Sequence, residues 1–456
     1  MTISNTLRVT ALTMGLLGFG AVCVAGEPDA PHAAAPERYA GPFTDEQARA
    51  LRGQWDYVKG WLGGDVMRFG HLNVDRLVPT VALRAAGPVR ALPESLRPDV
   101  SGLIVSTSDR GAVSLDDYVS NDPRIDGFIV LQDGAIVYEK YVHMRPDDRH
   151  LLWSISKMVA GFIVSDLQDE GLIDVSRAID QYIPALRGTG WDGITVRNIL
   201  DMSSGIDCKE DEEAYADITS CMMVMERSVG LNPELATVSF RDHMAAVPRS
   251  VKQGTRYEYA SLNTNMLMYL AEAVTGKTYP ELVSERVWRK VGAEGESLIV
   301  SGDYAKGEAA AAHGGLVTTL RDLGRLGLFM LEQESFHRKL LDDARPALFA
   351  DKSWDVYATA GDRPTHAAWQ NDVVFADGDF GKNGWGGQFL YVSPSRNLVI
   401  AWFGTFGEDL VNHDLRSVAR QLATRQSKPV ATQAVERYKD RAPIVERYAP
   451  PGATTP

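Results

Sequence analysis

Cysteine and histidine are both scarce in this chain: 456 residues carry three of the first and nine of the second. The histidines form no His-Glu-x-x-His and no cluster with cysteine, so the pattern of a zinc site is missing and neither metal nor other cofactor is expected. There is no Gly-x-Ser-x-Gly, which removes the nucleophile elbow of a Ser-His-Asp hydrolase, and no glycine-rich phosphate loop. Long lysine or arginine runs are lacking and the formal net charge is -13, so nucleic acid and an anionic membrane surface are not expected partners. The apolar stretch from Ala11 to Ala25, behind Arg8 and before Gly26, is short for a membrane span and has the make-up of a secretory signal peptide. Val22 is a poor residue before a lipid-modified Cys23, so a soluble periplasmic or secreted protein, with no stable membrane anchor after cleavage, is expected.

What remains is a chain with 45% apolar residues, enough for a large core. The expected division is a signal peptide (1–25), an N-terminal extension with an Ala/Pro-rich lead-in (26–95), a main domain (96–426) and a Pro-rich tail (427–456). Export leaves Cys208 and Cys221 where disulfides persist. They flank the acidic loop "CKEDEEAYADITSC", and their bond would restrict the unfolded chain by roughly 3 kcal/mol. That disulfide is predicted, with two separate buried thiols as the alternative. Glu210 to Glu213 within the loop are read as a solvated charge run rather than a calcium site.

"GFIVLQDGAIVYEKYV" is two β-rich runs joined by Asp133-Gly134, a strong hairpin signal. A helix should begin near Ser154, another should fill "NTNMLMYLAEAVTG" and stop at Gly276, and a third should follow Thr318 or Thr319. Thr44 is a candidate N-cap in the extension, and "GGQFLYVSPSRNLVIAWFG" reads as two strands across a turn. Strands at both ends with helices between predict an α+β fold: an antiparallel sheet whose N- and C-terminal strands pair, flanked by helices, with a mostly helical subdomain inserted. A site is expected where the two parts meet.

"LLWSISKMVAGFIV" offers the chemistry. Residues three apart share a helix face, so Ser154 and Lys157 would present Oγ and Nζ to one small volume, while Ser156 points elsewhere. The apolar run that follows implies burial, which pushes a lysine toward a neutral amine able to take the serine proton. The bland alternative is a capped helix start with a snorkelling lysine. Tyr259, in "YEYASLNTNML", would have a lowered pKa beside one or two lysines and could act as a base. "FGKNGWGGQF" places Lys382, Asn383 and Gly384 in a glycine-rich turn before a strand, where the N–H groups of Trp385 and Ser154 could form an oxyanion hole. A core tyrosine and a plain turn lysine are the alternatives. His313 is expected to line the cleft from a loop.

Ser154-x-x-Lys157, Tyr259-Ala-Ser261 and Lys382-Asn-Gly384, in that order, resemble the three motifs of the serine β-lactamases and D-Ala-D-Ala peptidases. The tyrosine in the second motif is similar to the class C-like branch with its esterases and 6-aminohexanoate-dimer hydrolases. "LQDGAIVYEKY", "GITVRNILDMSSGI" and "AHGGLVTTLRDLGRLG" extend the resemblance over roughly Asp126 to Thr405. It implies a β-lactamase/transpeptidase-like fold and an acyl-enzyme on Ser154. It also implies a small or short oligomeric amide or ester substrate, and a Lys382 that lowers the Tyr259 pKa or binds a substrate carboxylate. Two departures stand out: Ser261 replaces the usual asparagine, and the third motif opens on Lys382 if it does not open on Trp385. The alternatives are a β-lactamase or D-Ala-D-Ala carboxypeptidase, and a catalytically silent ligand-binding protein on the same fold.

Overall fold

The computed structural model describes residues 39–426 apart from 58, 86, 234–237, 343 and 408–412. The expected signal peptide with Cys23, the lead-in up to residue 38 and the tail from 427 lie outside the described residues.

In chain order the first six strands are β1 (Thr80–Leu83), β2 (Ile104–Thr107), β3 (Gly111–Ser114), β4 (Ile125–Gln132), β5 (Ala135–Tyr141) and β6 (His150–Leu151). Seven more come after the helical middle: β7 (Ser297–Val300), β8 (Leu316–Thr318), β9 (His366–Ala368), β10 (Asn371–Val374), β11 (Phe380–Asn383), β12 (Phe389–Ser393) and β13 (Leu398–Gly404). Asp133 (φ 53°) and Gly134 (φ 79°) both take the left-handed conformation that a two-residue hairpin turn demands, so β4 and β5 pair as predicted. The large sheet runs β5-β4-β13-β12-β11-β10-β9. Its N- and C-terminal strands meet as expected, with Val130 opposite Ile400 and Phe128 opposite Trp402.

Both faces of this sheet are covered, and the period of two in the strands sorts the side chains. Ile129, Leu131, Val399, Ala401 and Phe403 enter one core; Phe128, Val130, Ile400 and Trp402 enter the other. Each of the Val, Leu, Ile and Phe side chains among them, fully buried, stabilises the fold by about 1.5–3 kcal/mol. The longer helices include α1 (Asp45–Gln54), α2 (Gly64–Leu72), α3 (Ser156–Asp169), α4 (Ser261–Thr275), α5 (Leu320–Leu331) and α6 (Leu415–Gln426). Thr44 caps α1, Thr319 caps α5, and Gly276 ends α4 in the left-handed conformation (φ 71°). Helix α5 lies close on the sheet: a Cβ at Gly327 would stand 2.3 Å from Val399 Cγ1.

A four-stranded sheet, β1-β7-β8-β6, runs from the N-terminal segment to the strand that leads into the serine motif. Buried Arg68 on α2 donates to Asp126 Oδ1 and to Pro123 O, both at 2.6 Å, and Thr405 donates to Asp126 Oδ2 at 2.6 Å. The Cys208–Cys221 disulfide is formed, with Cα atoms 5.3 Å apart. Among the described residues no helix is long and apolar enough to cross a membrane. Two expectations need correction. Lys382 stands on β11 rather than in a turn, paired with Leu390 on β12, and the turn with Gly384, Gly386 and Gly387 comes after it. Strands β9 to β11 and helix α6 add to the expected elements; the strands are too short to show a period, whereas α6 does carry one, with Leu415, Val418, Ala419, Leu422 and Ala423 on its buried face.

Candidate active site

The chain leaves β6 through Leu152 and Trp153, makes a 3-10 turn over Trp153–Ile155, and continues as α3. Trp153 has φ 48°, a conformation that a bulky side chain adopts at a cost of about 1–3 kcal/mol. The surroundings hold it there. Its indole N–H donates to His71 Nε2 at 2.9 Å, and its ring meets Trp61 edge-on at 4.9 Å. Burial pushes the His71 pKa well below its ordinary value, so the ring stays neutral and its Nε2 remains an acceptor.

Ser154 Oγ is the meeting point of two groups: Lys157 Nζ lies 2.8 Å away and the Tyr259 hydroxyl 2.8 Å away. Lys157 is fully buried and also donates to His313 O at 2.8 Å. Burial brings its ammonium from 10.5 down to about 7; the charge of Lys382 adds to this, while Glu210, Asp372 and Glu226 oppose it. Ser156 turns away and accepts from Leu316 N at 3.1 Å.

The tyrosine runs against its expected direction. Burial raises the Tyr259 pKa well above 10, and Glu210 and Asp372 raise it further, although Lys157 and Lys382 face its ring at 5.1 and 4.8 Å. At neutral pH it is a phenol that donates, not a phenolate that accepts.

Lys382 Nζ lies 3.3 Å from the Tyr259 hydroxyl and 2.5 Å from Asp372 Oδ1, and Asp372 Oδ2 accepts from Asn383 N at 3.0 Å. Burial lowers the Lys382 pKa against the pull of Asp372. Burial works against the Asp372 charge too, yet Lys382 and Lys352 hold that carboxyl below its usual range. Gly384 brings the next turn against the nucleophile segment: a Cβ there would stand 2.3 Å from Leu152 O and 3.2 Å from Trp153 Cβ. Among the described residues the Trp385 backbone N–H has no protein acceptor. The half-exposed Trp385 indole donates to Trp61 O at 2.8 Å and its ring stacks on Tyr215.

Ser261 is already engaged, because Glu210 accepts from its N–H at 2.6 Å and from its hydroxyl at 2.7 Å. Glu210 is therefore not part of a solvated run. His313 does not line the cleft with its ring, which is buried and pushed down to about 3; its carbonyl holds Lys157 instead.

The structure thus brings Ser154, Lys157, Tyr259 and Lys382 into one bonded chain, sets Gly384 and Trp385 beside it, and ties Ser261 to the disulfide loop. Sequence reasoning missed Asp372, Glu210, Tyr215, Trp61 and His71, which are distant in the chain and belong to no motif. His71, Asp126 and His150 bring possible metal-ligand atoms within 4.8 Å of one another. Arg68 on Asp126 and the Trp153 indole on His71 fill that place with an ion-pair and hydrogen-bond network, in which a cation would face a buried guanidinium.

A family model described as Beta-lactamase matches residues 103–424. The 6-aminohexanoate-dimer hydrolase of Paenarthrobacter ureafaciens is 30% identical over 299 residues, 65% of this chain and 70% of that one. Protein flp of Staphylococcus aureus is 20% identical over 341 residues, 67% of this chain and 63% of that one. A solved structure from Bacillus anthracis, named for a 6-aminohexanoate-dimer hydrolase, aligns with a TM-score of 0.65 and 21% identity over 80% of this chain and 95% of that one, a likeness of fold. By the extent of the family match and the relative at 30% identity, the chain belongs to the β-lactamase family and is a serine hydrolase.

Proposed function

We propose that the chain is an exported enzyme that cleaves a short linear amide or an ester through an acyl-enzyme on Ser154, within a hydrolase domain spanning residues 96–426. The observation that carries this reading is Ser154 Oγ held 2.8 Å from both Lys157 Nζ and the Tyr259 hydroxyl.

Lys157, with a pKa near 7, is a neutral amine in a large share of molecules at neutral pH and takes the Ser154 proton as Oγ attacks the carbonyl carbon. The N–H groups of Ser154 and Trp385 face the developing oxyanion. Tyr259 gives its proton to the leaving amine or alcohol as the C–N or C–O bond breaks, and Lys382, 3.3 Å behind it, restores that proton. Water then attacks the ester carbon and gives a proton through Tyr259 back to Lys382, while Lys157 returns its proton to Ser154 Oγ as the acyl C–O bond breaks and the acid leaves.

The P. ureafaciens relative is named for hydrolysis of the 6-aminohexanoate dimer, which supports short linear amides as substrates. Lys382 is committed to Asp372 and Ser261 to Glu210, which weighs against the side-chain and carboxylate contacts of a β-lactam or D-Ala-D-Ala substrate. The disulfide supports an oxidising compartment, periplasmic or extracellular.

The test is a panel of p-nitrophenyl esters, linear amide oligomers and nitrocefin on wild type and Ser154→Ala, with fluorophosphonate labelling. Ser154→Ala should stay folded, lose all turnover and escape labelling. Activity retained in that variant sinks the assignment, and rapid nitrocefin turnover by the wild type overturns the preference for linear substrates.

A further inference from the structure

The loop closed by Cys208 and Cys221 sends one carboxylate 51 residues along the chain, to the start of α4. Glu210 Oε2 accepts from Ser261 N at 2.6 Å; Oε1 accepts from the Ser261 hydroxyl at 2.7 Å and from the Tyr215 hydroxyl at 3.3 Å. Helix α4 has no cap of its own, since Ala260 stands at the N-cap position with no side-chain bond. The loop carboxylate answers an N–H group that the helix leaves unpaired and meets the positive end of its dipole. Tyr259 lies two residues before Ser261. From the same loop the Tyr215 ring stacks on Trp385, 6.4 Å between centroids. One short covalent ring therefore joins the tyrosine motif to the turn after Lys382.

Its charge also reaches the reacting groups. Those facing Lys157 are Tyr259, Lys382 and Asp372 from the second and third motifs, Glu226, His313, and Glu210 from the loop. Among these charges Glu210 acts most strongly on Lys157, in the direction that favours the ammonium.

We infer that Glu210 is a positioning residue of the reaction: through Ser261 it fixes the Tyr259 end of α4, and its negative charge sets the pH at which the serine–lysine pair begins to work. This rests on Ser154 as nucleophile and Lys157 as its base. The three motifs do not include this residue.

Glu210→Gln keeps the shape and removes the charge: its amide oxygen can accept from Ser261 N, and its NH2 can donate to the Ser261 hydroxyl, which then accepts instead of donating. The experiment follows kcat/KM for a p-nitrophenyl ester from pH 5 to 9, with fluorophosphonate labelling and melting temperature measured alongside, on wild type, Ser154→Ala, Glu210→Gln and Glu210→Asp. Loss of the carboxylate disfavours the Lys157 ammonium, so the acid limb of Glu210→Gln should move down by about half to one pH unit. At pH 6 that variant should show about two- to fivefold more of its own plateau rate than the wild type does. Glu210→Asp keeps the charge but falls short of Ser261, so it should lower kcat and leave the limb within a few tenths of the wild-type position. A folded, labelled Glu210→Gln whose limb and kcat match the wild type overturns the inference, as does a limb that moves equally in Glu210→Asp. Activity that survives in Ser154→Ala overturns the underlying reading and the inference with it.

Discussion

Lys157 should cost the fold stability in the protonation state that ordinary pH favours, and Lys157→Met should reveal the cost. The unfolded chain holds the lysine proton up to about 10.5 and the folded chain releases it near 7, because the side chain is fully buried. Between those values the unfolded state binds more protons, so stability rises with pH across the window. At pH 7 the lysine works against folding by about 4 kcal/mol, and by pH 9 this falls to about 2 kcal/mol. Lys157→Met removes that burden but leaves His313 O without its donor, a loss of about 1–3 kcal/mol. The variant should therefore be inactive yet more stable than wild type by about 1–3 kcal/mol at pH 7, and close to it at pH 9. Urea unfolding of both proteins at the two pH values reads the difference directly. A stability gap that does not narrow between pH 7 and 9 refutes the reasoning, because it would mean that the buried lysine keeps its proton in the folded chain.

Asp372→Asn leaves fully buried Lys382 without its carboxylate and so favours the neutral amine. We expect kcat to fall about a hundredfold with KM little changed, because the proton behind Tyr259 is lost; a raised KM at constant kcat would instead make Lys382 a substrate-binding group. Gly384→Ala places a methyl 2.3 Å from Leu152 O and should lift the Trp385 N–H away from Ser154, lowering kcat by about 10²–10³ in a protein that still folds but melts at a lower temperature. Burst kinetics with a p-nitrophenyl ester measure this, and an unchanged kcat would remove Trp385 from the oxyanion site.

Local signals in the sequence are sufficient wherever a backbone conformation or one helical turn decides the outcome. Asp133-Gly134 fixes a hairpin, Gly276 ends a helix, and the spacing from Ser154 to Lys157 places Nζ on Oγ. The Cys208–Cys221 bond follows from the cysteine count together with the expected compartment. What escapes is long-range electrostatics. Asp372 cannot be paired with Lys382 until β10 and β11 are known to be neighbours, and Glu210 reads as solvated because its acceptor role depends on a helix start far downstream. The lysines near Tyr259 would lower its pKa by themselves, whereas its burial and two carboxylates outweigh them.

The contacts from α2 and its neighbours to Trp153, Trp385 and Thr405 bear on how the enzyme comes into being. Residues 61 to 71 leave the ribosome well before the serine motif, yet their partners Trp385 and Thr405 stand 324 and 334 residues further on, in the same stretch as β13, which must slot in beside β4. Long-range pairing of this kind forms late, and the centre has no local substitute for it. A nascent chain halted before Lys382 would already contain Ser154 and Lys157 but no proton donor behind Tyr259 and no oxyanion turn. Hydrolytic competence should thus await strands β11 to β13, and products of translation halted before Lys382 should be silent toward acyl substrates.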